Sequence, residues 1–450
     1  MDSLEQVAGF AAQTSASDIP PEVNERTALI LADCIGAIVG GMAEPDVAAL
    51  SGRQNSNGPA LLIGTSETRP AGTAALLNGT AGTTLEMDEG NQFCKGHPGM
   101  HTVPAALAVA AAGGQVSGAD LLAAIAIGYD VGARVGIATR LRPSMHPHGT
   151  WGTICAATAV ARLQGAGAGQ MRHAISLSAS LGLSTSRRTM LEGGTVRNVF
   201  AGVSGQMGVL AGDMIAAGYT GDHDGVAQVF GHVVSDSFDD TAFVESLGER
   251  WEVSRNYFKM HSCCRYNHAA LDALASLRAA PAGLDHRAVE SVLVETYSLA
   301  VELDDPAPTN VLAGKFSVPF AMASALVNGA TGVDSFTMSN VTNPDIRALA
   351  QRVTVVENPA MTALLPDKRP ARIKVTLKSG DVFEASTETN RGDWSDPYPP
   401  HEIREKYLSL TTRLWREDVA IRIWDRVMDL GAAPSLDPFF AEMAHAPYTL

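Results

Sequence analysis

The sequence is poor in charged residues and in cysteine. Of its 450 residues only 18% are charged, and the five cysteines are Cys34, Cys94, Cys155, Cys263 and Cys264. A small and odd number of thiols in a chain of this length does not fit a disulfide framework. We therefore expect the protein to work in a reducing compartment.

No run of basic residues is present, and the formal net charge is −15. Binding to nucleic acid or to an anionic membrane needs a concentrated basic surface, so we predict neither partner. The same overall charge would repel an anionic substrate. Lysine, arginine and histidine would then have to be gathered locally, and the places where they cluster become candidate sites.

Segments for export or membrane insertion are not expected. Asp2 and Glu5 stand where a signal peptide would carry basic residues. Apolar runs such as VPAALAVAAAGG are shorter than the ~18–20 residues that span a bilayer. These features predict a soluble, cytoplasmic protein that does not bind a membrane.

Three motifs of common enzyme classes are missing from the chain. It has no G-x-x-x-x-G-K-[ST] phosphate loop, no G-x-G-x-x-G after a strand and no G-x-S-x-G nucleophile elbow. Nucleotide, flavin and serine-hydrolase chemistry therefore lack support.

Two kinds of periodicity divide the chain. Up to about residue 255, and again near the C-terminus, apolar residues recur at helical spacing, as in ERTALILADCIGAIVGGM. Between these regions, VESVLVETYS, QRVTVVEN and ARIKVTLKSGDVFEAST alternate apolar and polar residues. The last of these carries Ser379, Gly380 and Asp381 where a hairpin would turn.

This pattern predicts a mainly α protein with two domains. Residues 1–258 and 393–450 would form a large all-helical domain from both chain ends. Residues 259–392 would form a smaller inserted α+β domain, in which helices such as HAALDALASLRAA and FSVPFAMASALVNG lie between the strands.

Four polar clusters interrupt a background that is rich in alanine and glycine. They are LEMDEGNQFCKGHPGMH, LRPSMHPHGTWGT, STSRRTMLEGGTVRNVFAGVSGQMG and KMHSCCRYNH. The first is a predicted loop, and loops on a rigid scaffold often carry catalytic groups. The second precedes an apolar helix, whose unpaired N–H groups favour a carboxylate. The first, taken alone, also fits a solvated polar loop.

Arginines and cysteines in the last two clusters allow several interpretations. Arg187, Arg188 and Arg197 could each fork onto a carboxylate, although a lone arginine is more often a surface side chain. Adjacent Cys263 and Cys264 lack the spacing of zinc ligands or of a C-x-x-C redox pair. We therefore predict no metal site and expect inert cysteines beside functional groups.

Taken together and in order, these segments resemble the MmgE/PrpD family, which includes 2-methylcitrate dehydratase, cis-aconitate decarboxylase and iminodisuccinate epimerase. The resemblance runs through AALLNGTAGTTLEMDE, HPG, VPAALA, HPHGTWGT, AGVSGQMGVLAGDMIAAGYTG, KMHSCCRYNHAALDA and KFSVPFAMASALVNG. It implies a helical domain with a smaller inserted lid domain, a homodimer, no metal or other cofactor, and acid–base chemistry on a small di- or tricarboxylate.

The resemblance also implies site residues. By position, the family's Asp and His of the first cluster correspond to Asp88 and His97, its His of the second cluster to His146, and its Lys of the fourth cluster to Lys259.

Several positions depart from the pattern of the dehydratases and decarboxylases in this family. Gly90, Asn91 and Gln92 stand in place of two acids and a threonine. Arg197 replaces a lysine, Cys264 a histidine, and Phe320 a tyrosine. Proton-donating groups of those branches are thus missing, while the anion-binding residues remain.

Removing a proton beside a carboxylate builds negative charge that cations or N–H donors must stabilise. We hypothesise that His146 and Lys259 face one carbon from opposite sides, with the pKa of Lys259 depressed so that it acts as a base. A pure anion clamp is the alternative for Lys259. Asp88 would orient a histidine, and Tyr266 is an alternative acid or base.

The substrate carboxylates would be held by further side chains of the same clusters, with Cys264 also in the binding pocket. These are His97, Arg188, Arg197 and Arg265.

Three functions remain open at this stage. The first is a cofactor-independent epimerase of a small dicarboxylate of the iminodisuccinate type. The second is a dehydratase of a 2-methylcitrate-like hydroxy acid. The third is a catalytically inactive binding protein on the same fold.

Overall fold

The computed structural model describes residues 2–278 and 284–444, and helices make up most of its regular structure. The helices of seven or more residues are Ser3–Gln13, Pro21–Met42, Pro45–Arg53, Ala71–Thr84, Pro98–Ala112, Gly118–Ala138, Gly152–Leu163, Ala168–Ala179, Phe200–Ala216, His268–Arg278, Val318–Asn328, Pro344–Ala350, Pro400–Thr411, Glu417–Met428 and Asp437–Ala444. The shorter helices are Arg188–Leu191, Gly225–Gln228, Asp240–Val244, Ser298–Val301, Val311–Lys315, Met338–Val341 and Pro359–Thr362. The predicted mainly α class is confirmed.

Local sequence explains where several of these helices begin. Proline opens Pro21–Met42, Pro45–Arg53 and Pro98–Ala112, and the first helical position needs no N–H donor. Ser117 caps the helix Gly118–Ala138 by accepting a hydrogen bond from the Asp120 amide. These boundaries are therefore set by residues that favour helix starts.

A large core is shared by the two ends of the chain. Buried apolar side chains of the first 260 residues pack together with those of the C-terminal helices, including Trp415, Trp424 and Phe439. A second core is built from residues between Cys263 and Val375, together with Met190. The domain boundaries proposed from the sequence stay a prediction, but two large cores are present.

One four-stranded sheet lies in the second core. Its order is Val382–Thr387, Ala371–Leu377, Val289–Thr296 and Val353–Glu357, with two antiparallel pairings followed by a parallel one. The first two strands form the hairpin that the sequence predicts. Gly380 adopts a φ of +94° at the turn, a conformation that glycine tolerates best.

Short strand pairs elsewhere fix the loops. They are Ala60–Leu61 with Thr68–Arg69, Gly90–Asn91 with Asn256–Tyr257, and Thr139–Leu141 with Ser235–Phe238. The second pair matters most for function. It holds the loop of the first polar cluster against the chain just before Lys259.

Two helical stretches are long and apolar enough to cross a membrane, contrary to the sequence expectation that no run reaches this length. They are Gly118–Ala138 and Thr195–Ala216, and the bent pair Pro21–Met42 and Pro45–Arg53 would count as a third. In Gly118–Ala138, 94% of the most apolar window is buried inside the protein, against 56% in Thr195–Ala216. The apolar character of the first stretch is thus used by the core.

Small residues allow close contact between two central helices. A Cβ atom on Gly202, in Phe200–Ala216, would lie 2.1 Å from the carbonyl oxygen of Leu76 in Ala71–Thr84. A Cβ on Gly79 would lie 2.7 Å from the Cα of Gly202. Because backbone cannot move aside cheaply, both positions require glycine.

We predict that Gly202→Ala lowers the free energy of unfolding by about 1–3 kcal/mol, because the added methyl group forces these helices apart. Denaturant unfolding followed by circular dichroism measures the change. Gly9→Ala is the matched control: apart from the backbone of its own helix and its chain neighbours, no atom of the described residues lies within 4 Å of its added Cβ. Equal stabilities of the two variants would contradict the close packing.

Candidate active site

The four polar clusters meet at one cavity that is lined by segments of both cores. Its walls include Asn91, Gln92 and His97 from the first cluster, His146 and His148 from the second, Arg187 and Arg197 from the third, and Cys264, Arg265 and Tyr266 from the fourth. The empty volume is about 520 Å³, including solvent at its mouth. Folding thus brings together the lysine, arginine and histidine side chains that a chain of net negative charge would need to bind an anionic substrate.

Buried charged side chains fix the position of the loop of the first cluster. Asp33 accepts a hydrogen bond from the Glu89 amide at 3.0 Å and pairs with Lys406 at 2.5 Å. Lys406 also donates to the carbonyl oxygen of Met87 at 2.5 Å. These contacts join the N-terminal and C-terminal helices to the loop and fix its backbone.

Lys315, from the second core, fixes the start of the same loop. Its Nζ donates to the carbonyl oxygen of Leu85 at 2.8 Å and lies 3.2 Å from Ser262 Oγ. A cation at this point is favoured because the carbonyl groups end the helix Ala71–Thr84. Burial lowers the pKa of the Lys315 ammonium to about 8.

Glu89 is a residue of this loop whose carboxyl group is buried. Its Oε1 accepts a hydrogen bond from the Gly99 amide at 2.8 Å, and its Oε2 lies 3.0 Å from the Tyr129 hydroxyl. Burial raises the pKa of Glu89 to about 8. Glu89 is therefore mostly a neutral acid at pH 7 and supports the loop without adding a negative charge.

Glu86 is a wall residue to which the sequence reasoning gave no role. It lines the cavity and adopts a left-handed φ of +55°, which is uncommon outside glycine. Its Oε1 forms a close ion pair with Arg197, and its Oε2 lies 3.4 Å from Lys259 Nζ. Its place in the acidic first cluster was a signal, but its backbone conformation could not be read from sequence.

Lys259 is fully buried behind the cavity wall. Its Nζ donates to the Glu86 carbonyl oxygen at 3.2 Å and lies 3.4 Å from Asp88 Oδ1. Burial alone would lower the pKa of Lys259, but the carboxylates of Glu86 and Asp88 outweigh it and raise the pKa. This direction is opposite to the depressed pKa that we hypothesised for a lysine base, and it favours the alternative, a cation that clamps an anion.

Asp88 lies beside one histidine, His97; that it orients this ring stays a prediction. The Nδ1 atom of His97 lies 2.6 Å from the Glu89 carbonyl oxygen and 2.9 Å from Asp88 Oδ2. Both neighbours are acceptors, so Nδ1 carries the proton. Although burial opposes it, the adjacent His97 ring and the charge of Lys259 hold the pKa of Asp88 well below its usual range. Nε2 of His97 is left with a free lone pair at the cavity.

His146 has the opposite tautomer. Its Nδ1 accepts a hydrogen bond from the His148 backbone N–H at 3.1 Å, so the proton of the neutral ring lies on Nε2. Burial and the nearby charges of Arg197 and Arg187 lower the pKa of His146 well below its usual value. His146 is thus a neutral hydrogen-bond donor rather than the proton acceptor of our hypothesis.

Two further histidines fill the space between these rings. The His148 ring lies 4.4 Å from that of His97 and 5.0 Å from that of His146, and the His101 ring lies 5.3 Å from that of His148. Burial lowers the pKa of His101 to about 3, and that of His148 also falls well below normal. The cluster is therefore mainly uncharged and packs as aromatic rings.

Arg265 lines the cavity, as the sequence led us to expect, but its charge is already balanced. It forms a close ion pair with Asp393, donates from Nε to Asn390 at 2.9 Å, and stacks 3.9 Å from the Tyr257 ring centre. Arg197 is balanced by Glu86 in the same way. Both arginines shape the cavity, and neither is a free cation.

Other predicted residues fall in different places. Arg188 is a surface side chain, 81% exposed and paired with Glu192, so its predicted contact with substrate is wrong; Arg187 lines the cavity instead. Burial raises the pKa of Cys264 to about 11, which makes it a neutral thiol in the wall. Phe320 lies in the second core, whereas Phe316 lines the cavity.

Arg369 is a wall residue that sequence reasoning missed. It precedes the strand Ala371–Leu377, and its Nη2 donates to the Gln92 carbonyl oxygen at 3.1 Å. No motif surrounds it. Only the folded chain brings it to the first cluster, so no local signal could have identified it.

Among residues 2–278 and 284–444, no three or more His, Cys, Asp or Glu side chains are grouped as metal ligands. The absence of a metal requirement stays a prediction.

Comparisons with known proteins agree with this organisation. Residues 5–240 match the MmgE/PrpD N-terminal domain model, and residues 261–430 match the MmgE/PrpD C-terminal domain model. The chain is 23% identical to cis-aconitate decarboxylase of Aspergillus terreus over 474 aligned residues, covering 98% of this chain and 96% of the relative. It is 24% identical to the cis-aconitate decarboxylase-like protein oryM of Aspergillus oryzae, covering 97% and 96%. Human cis-aconitate decarboxylase is 24% identical over 80% of this chain and 75% of its own length.

The raised pKa of Glu89 predicts a pH-dependent stability. Between the ordinary value of 4.5 and about 8, the folded state binds a proton at Glu89 that the unfolded state has lost. This contribution is present below pH 4.5 and disappears as the pH rises through about 8. Over that window the wild type should lose on the order of a few kcal/mol of unfolding free energy from this group.

In Glu89→Gln this loss should be absent, because the amide does not titrate. Chemical denaturation at a series of pH values measures the difference between variant and wild type. Glu22→Gln, at an exposed position, is the control and should follow the wild type. Parallel pH profiles of wild type and Glu89→Gln would show that Glu89 is ionised in the fold.

Proposed function

The chain belongs to the MmgE/PrpD family, and on that basis we propose that it is an enzyme acting on a small di- or tricarboxylate. The reaction is removal and return of a proton at the carbon next to a carboxylate. The observation that carries this proposal is the Asp88–His97 pair in a cavity rich in cations. A histidine whose Nδ1–H donates to the Glu89 carbonyl oxygen, with a buried carboxylate beside it, presents its other nitrogen as a base.

His97 is the base in this mechanism. Its Nε2 takes the proton from the carbon, and the electron pair left behind spreads into the neighbouring carboxylate. The imidazolium that forms is stabilised by Asp88, 2.9 Å from Nδ1. General base catalysis of this kind typically contributes ~10²–10⁴-fold to the rate.

Donors near the base stabilise the negative charge that develops. His146 offers an Nε2–H that is kept neutral by burial, and a neutral imidazole is an effective donor to a carboxylate that gains charge. Arg197 and Lys259 supply fixed positive charge behind Glu86. Lys259 therefore has an electrostatic role, which was the alternative to a role as base.

The finer proposal is epimerisation of a dicarboxylate of the iminodisuccinate type, without a cofactor. Epimerisation needs a second group that returns the proton on the other face. Tyr266 is suited to this role because it lines the same cavity and belongs to the second core, whereas His97 lies on the first. The tyrosinate left by proton return would face Arg369, whose guanidinium lies 5.2 Å from its ring centre. Proton exchange with solvent then resets both groups.

Lyase activity is the second candidate. It is favoured by the relatives, which are named cis-aconitate decarboxylases, and a dehydratase of a 2-methylcitrate-like acid falls in the same class. A lyase would use His97 in the same way but would release carbon dioxide or water. The neutral thiol of Cys264 and the amide of Gln92 are poor proton donors for that second step.

Tyr266, Cys264 and Arg369 all come from the mixed α and β part of the chain, so this part would act as a lid over the helical domain. We retain residues 259–392 as its proposed limits. A homodimer, a cytoplasmic location and the absence of nucleic-acid and membrane partners stay predictions from the family resemblance and the composition.

Deuterium exchange in D2O separates these functions. Each stereoisomer of iminodisuccinate, and separately 2-methylcitrate and cis-aconitate, is incubated with the protein. NMR follows deuterium at the α-carbon, optical rotation follows inversion, and ultraviolet absorbance follows C=C bonds. We expect exchange together with inversion of iminodisuccinate.

In Tyr266→Phe, exchange should persist for the configuration that His97 deprotonates, while inversion falls by about 100-fold or more. His97→Gln should abolish that exchange. Tyr297→Phe is the matched control because this buried tyrosine packs on Tyr266, with 5.9 Å between ring centres, and does not line the cavity.

Two results would overturn the epimerase proposal. An unsaturated product or carbon dioxide without inversion would establish a lyase. Absence of exchange and of product with every acid would indicate a binding protein.

A further inference from the structure

The cavity has a second group of cations whose charges are not balanced. Lys95, Arg187 and Arg369 line it from three segments: the loop before His97, the turn before Arg188–Leu191, and the approach to the strand Ala371–Leu377. The proton-transfer mechanism above uses none of them as a base.

Arg369 is the most deeply buried of the three, with 4% of its surface exposed. Its guanidinium lies over the rings of Tyr266 and Tyr297, and no carboxylate lies within ion-pair distance in the described part of the chain. Its Nε is buried without a hydrogen-bond partner there. A guanidinium buried without a counter-ion is unfavourable, so an anion bound here would be stabilised.

Arg187 has one carboxylate partner, Glu302, at 2.7 Å from its Nε. Its Nη2 is a second buried nitrogen without a hydrogen-bond partner among the described residues. Glu302 therefore pairs with one edge of the Arg187 guanidinium. The other edge carries the unpartnered Nη2, and Arg187 lines the cavity.

Lys95 lies at the rim of the cavity. It adopts a left-handed φ of +62° and has no ion-pair partner among residues 2–278 and 284–444. Partial desolvation beside the cavity and the nearby charges of Arg369, Arg140 and Arg187 lower the pKa of its ammonium, although the side chain is exposed at the rim. The backbone thus places a third cation where two arginines already repel it.

The rest of the cavity is different. Arg197, Lys259 and Arg265 are paired with Glu86, Asp88 and Asp393. Around the proposed base, three cations are paired with three carboxylates. In the other part of the wall, three cations have only the carboxylate of Glu302 as a partner among the described residues. The uncompensated charge of the cavity is concentrated on this second group.

We propose that Lys95, Arg187 and Arg369 form a subsite for a second substrate carboxylate, one that is not attached to the carbon that exchanges its proton. The subsite makes the enzyme selective for di- or tricarboxylates over monocarboxylates. This inference rests on the proposed function for the identity of the reacting carbon, but binding at the subsite requires no turnover.

The test compares diacids with their monoamides by isothermal titration calorimetry. Malonate, succinate and glutarate are each titrated against malonamate, succinamate and glutaramate, which keep the length and lose one charge. We expect the wild type to bind the best diacid at least 10-fold more tightly than its monoamide. Lys95→Met should reduce this preference several-fold, and Arg187→Met should reduce it further.

Arg188→Met is the matched control because Arg188 is the exposed neighbour of Arg187 and is paired with Glu192; it should keep the wild-type preference. Lys95 is exposed at the rim, so Lys95→Met tests the subsite even if Arg187→Met does not fold. Thermal unfolding checks each variant.

Three outcomes would overturn the subsite. They are no binding of any diacid at millimolar concentration, equal binding of diacid and monoamide by the wild type, and an unchanged preference in both Lys95→Met and Arg187→Met. A preserved diacid preference without proton exchange in D2O would instead reject the proposed function and leave the subsite standing.

Discussion

A continuous set of buried charges, Arg197, Glu86, Lys259 and Asp88, with the His97 ring at its end, is the constraint on which the site depends. Each charge would be costly alone in the interior, and each is tolerable because the next residue neutralises it. Their segments are far apart in the sequence. The helical core must therefore bring the first and third polar clusters to the junction with the fourth, and the left-handed backbone at Glu86 is accepted as part of that arrangement.

The same network decides which groups can exchange protons. Two carboxylates keep Lys259 charged, a carboxylate and a carbonyl oxygen fix the proton of His97 on Nδ1, and a backbone N–H fixes the proton of His146 on Nε2. One histidine is thus prepared to accept a proton and the other to donate a hydrogen bond. Hydrogen-bond partners, more than residue type, distinguish their roles.

Much of the fold could be predicted because its signals are local. Helical spacing, the proline starts and the hairpin at Gly380 depend on residues near in sequence. Part of the site could also be predicted, since Asp88, His97, His146 and Lys259 do lie around one cavity or directly behind its wall. Charge states could not be predicted, because the pKa of Lys259 depends on carboxylates about 170 positions away. The choice between Arg187 and Arg188 depends equally on tertiary structure, as one side chain of the pair faces Glu302 and the other faces solvent.

The cavity therefore combines a balanced part with an unbalanced part, and both cores contribute to it. Tyr266 and Arg369 belong to the mixed α and β part, whereas His97 and Lys95 belong to the helical part. A substrate with two carboxylates, bound at both parts, would contact both cores at once, so its binding energy would favour their close approach. A monocarboxylate would reach only one part. Specificity for the substrate and contact between the two cores would then depend on the same interactions, because the second carboxylate supplies the negative counter-charge that Arg369 lacks.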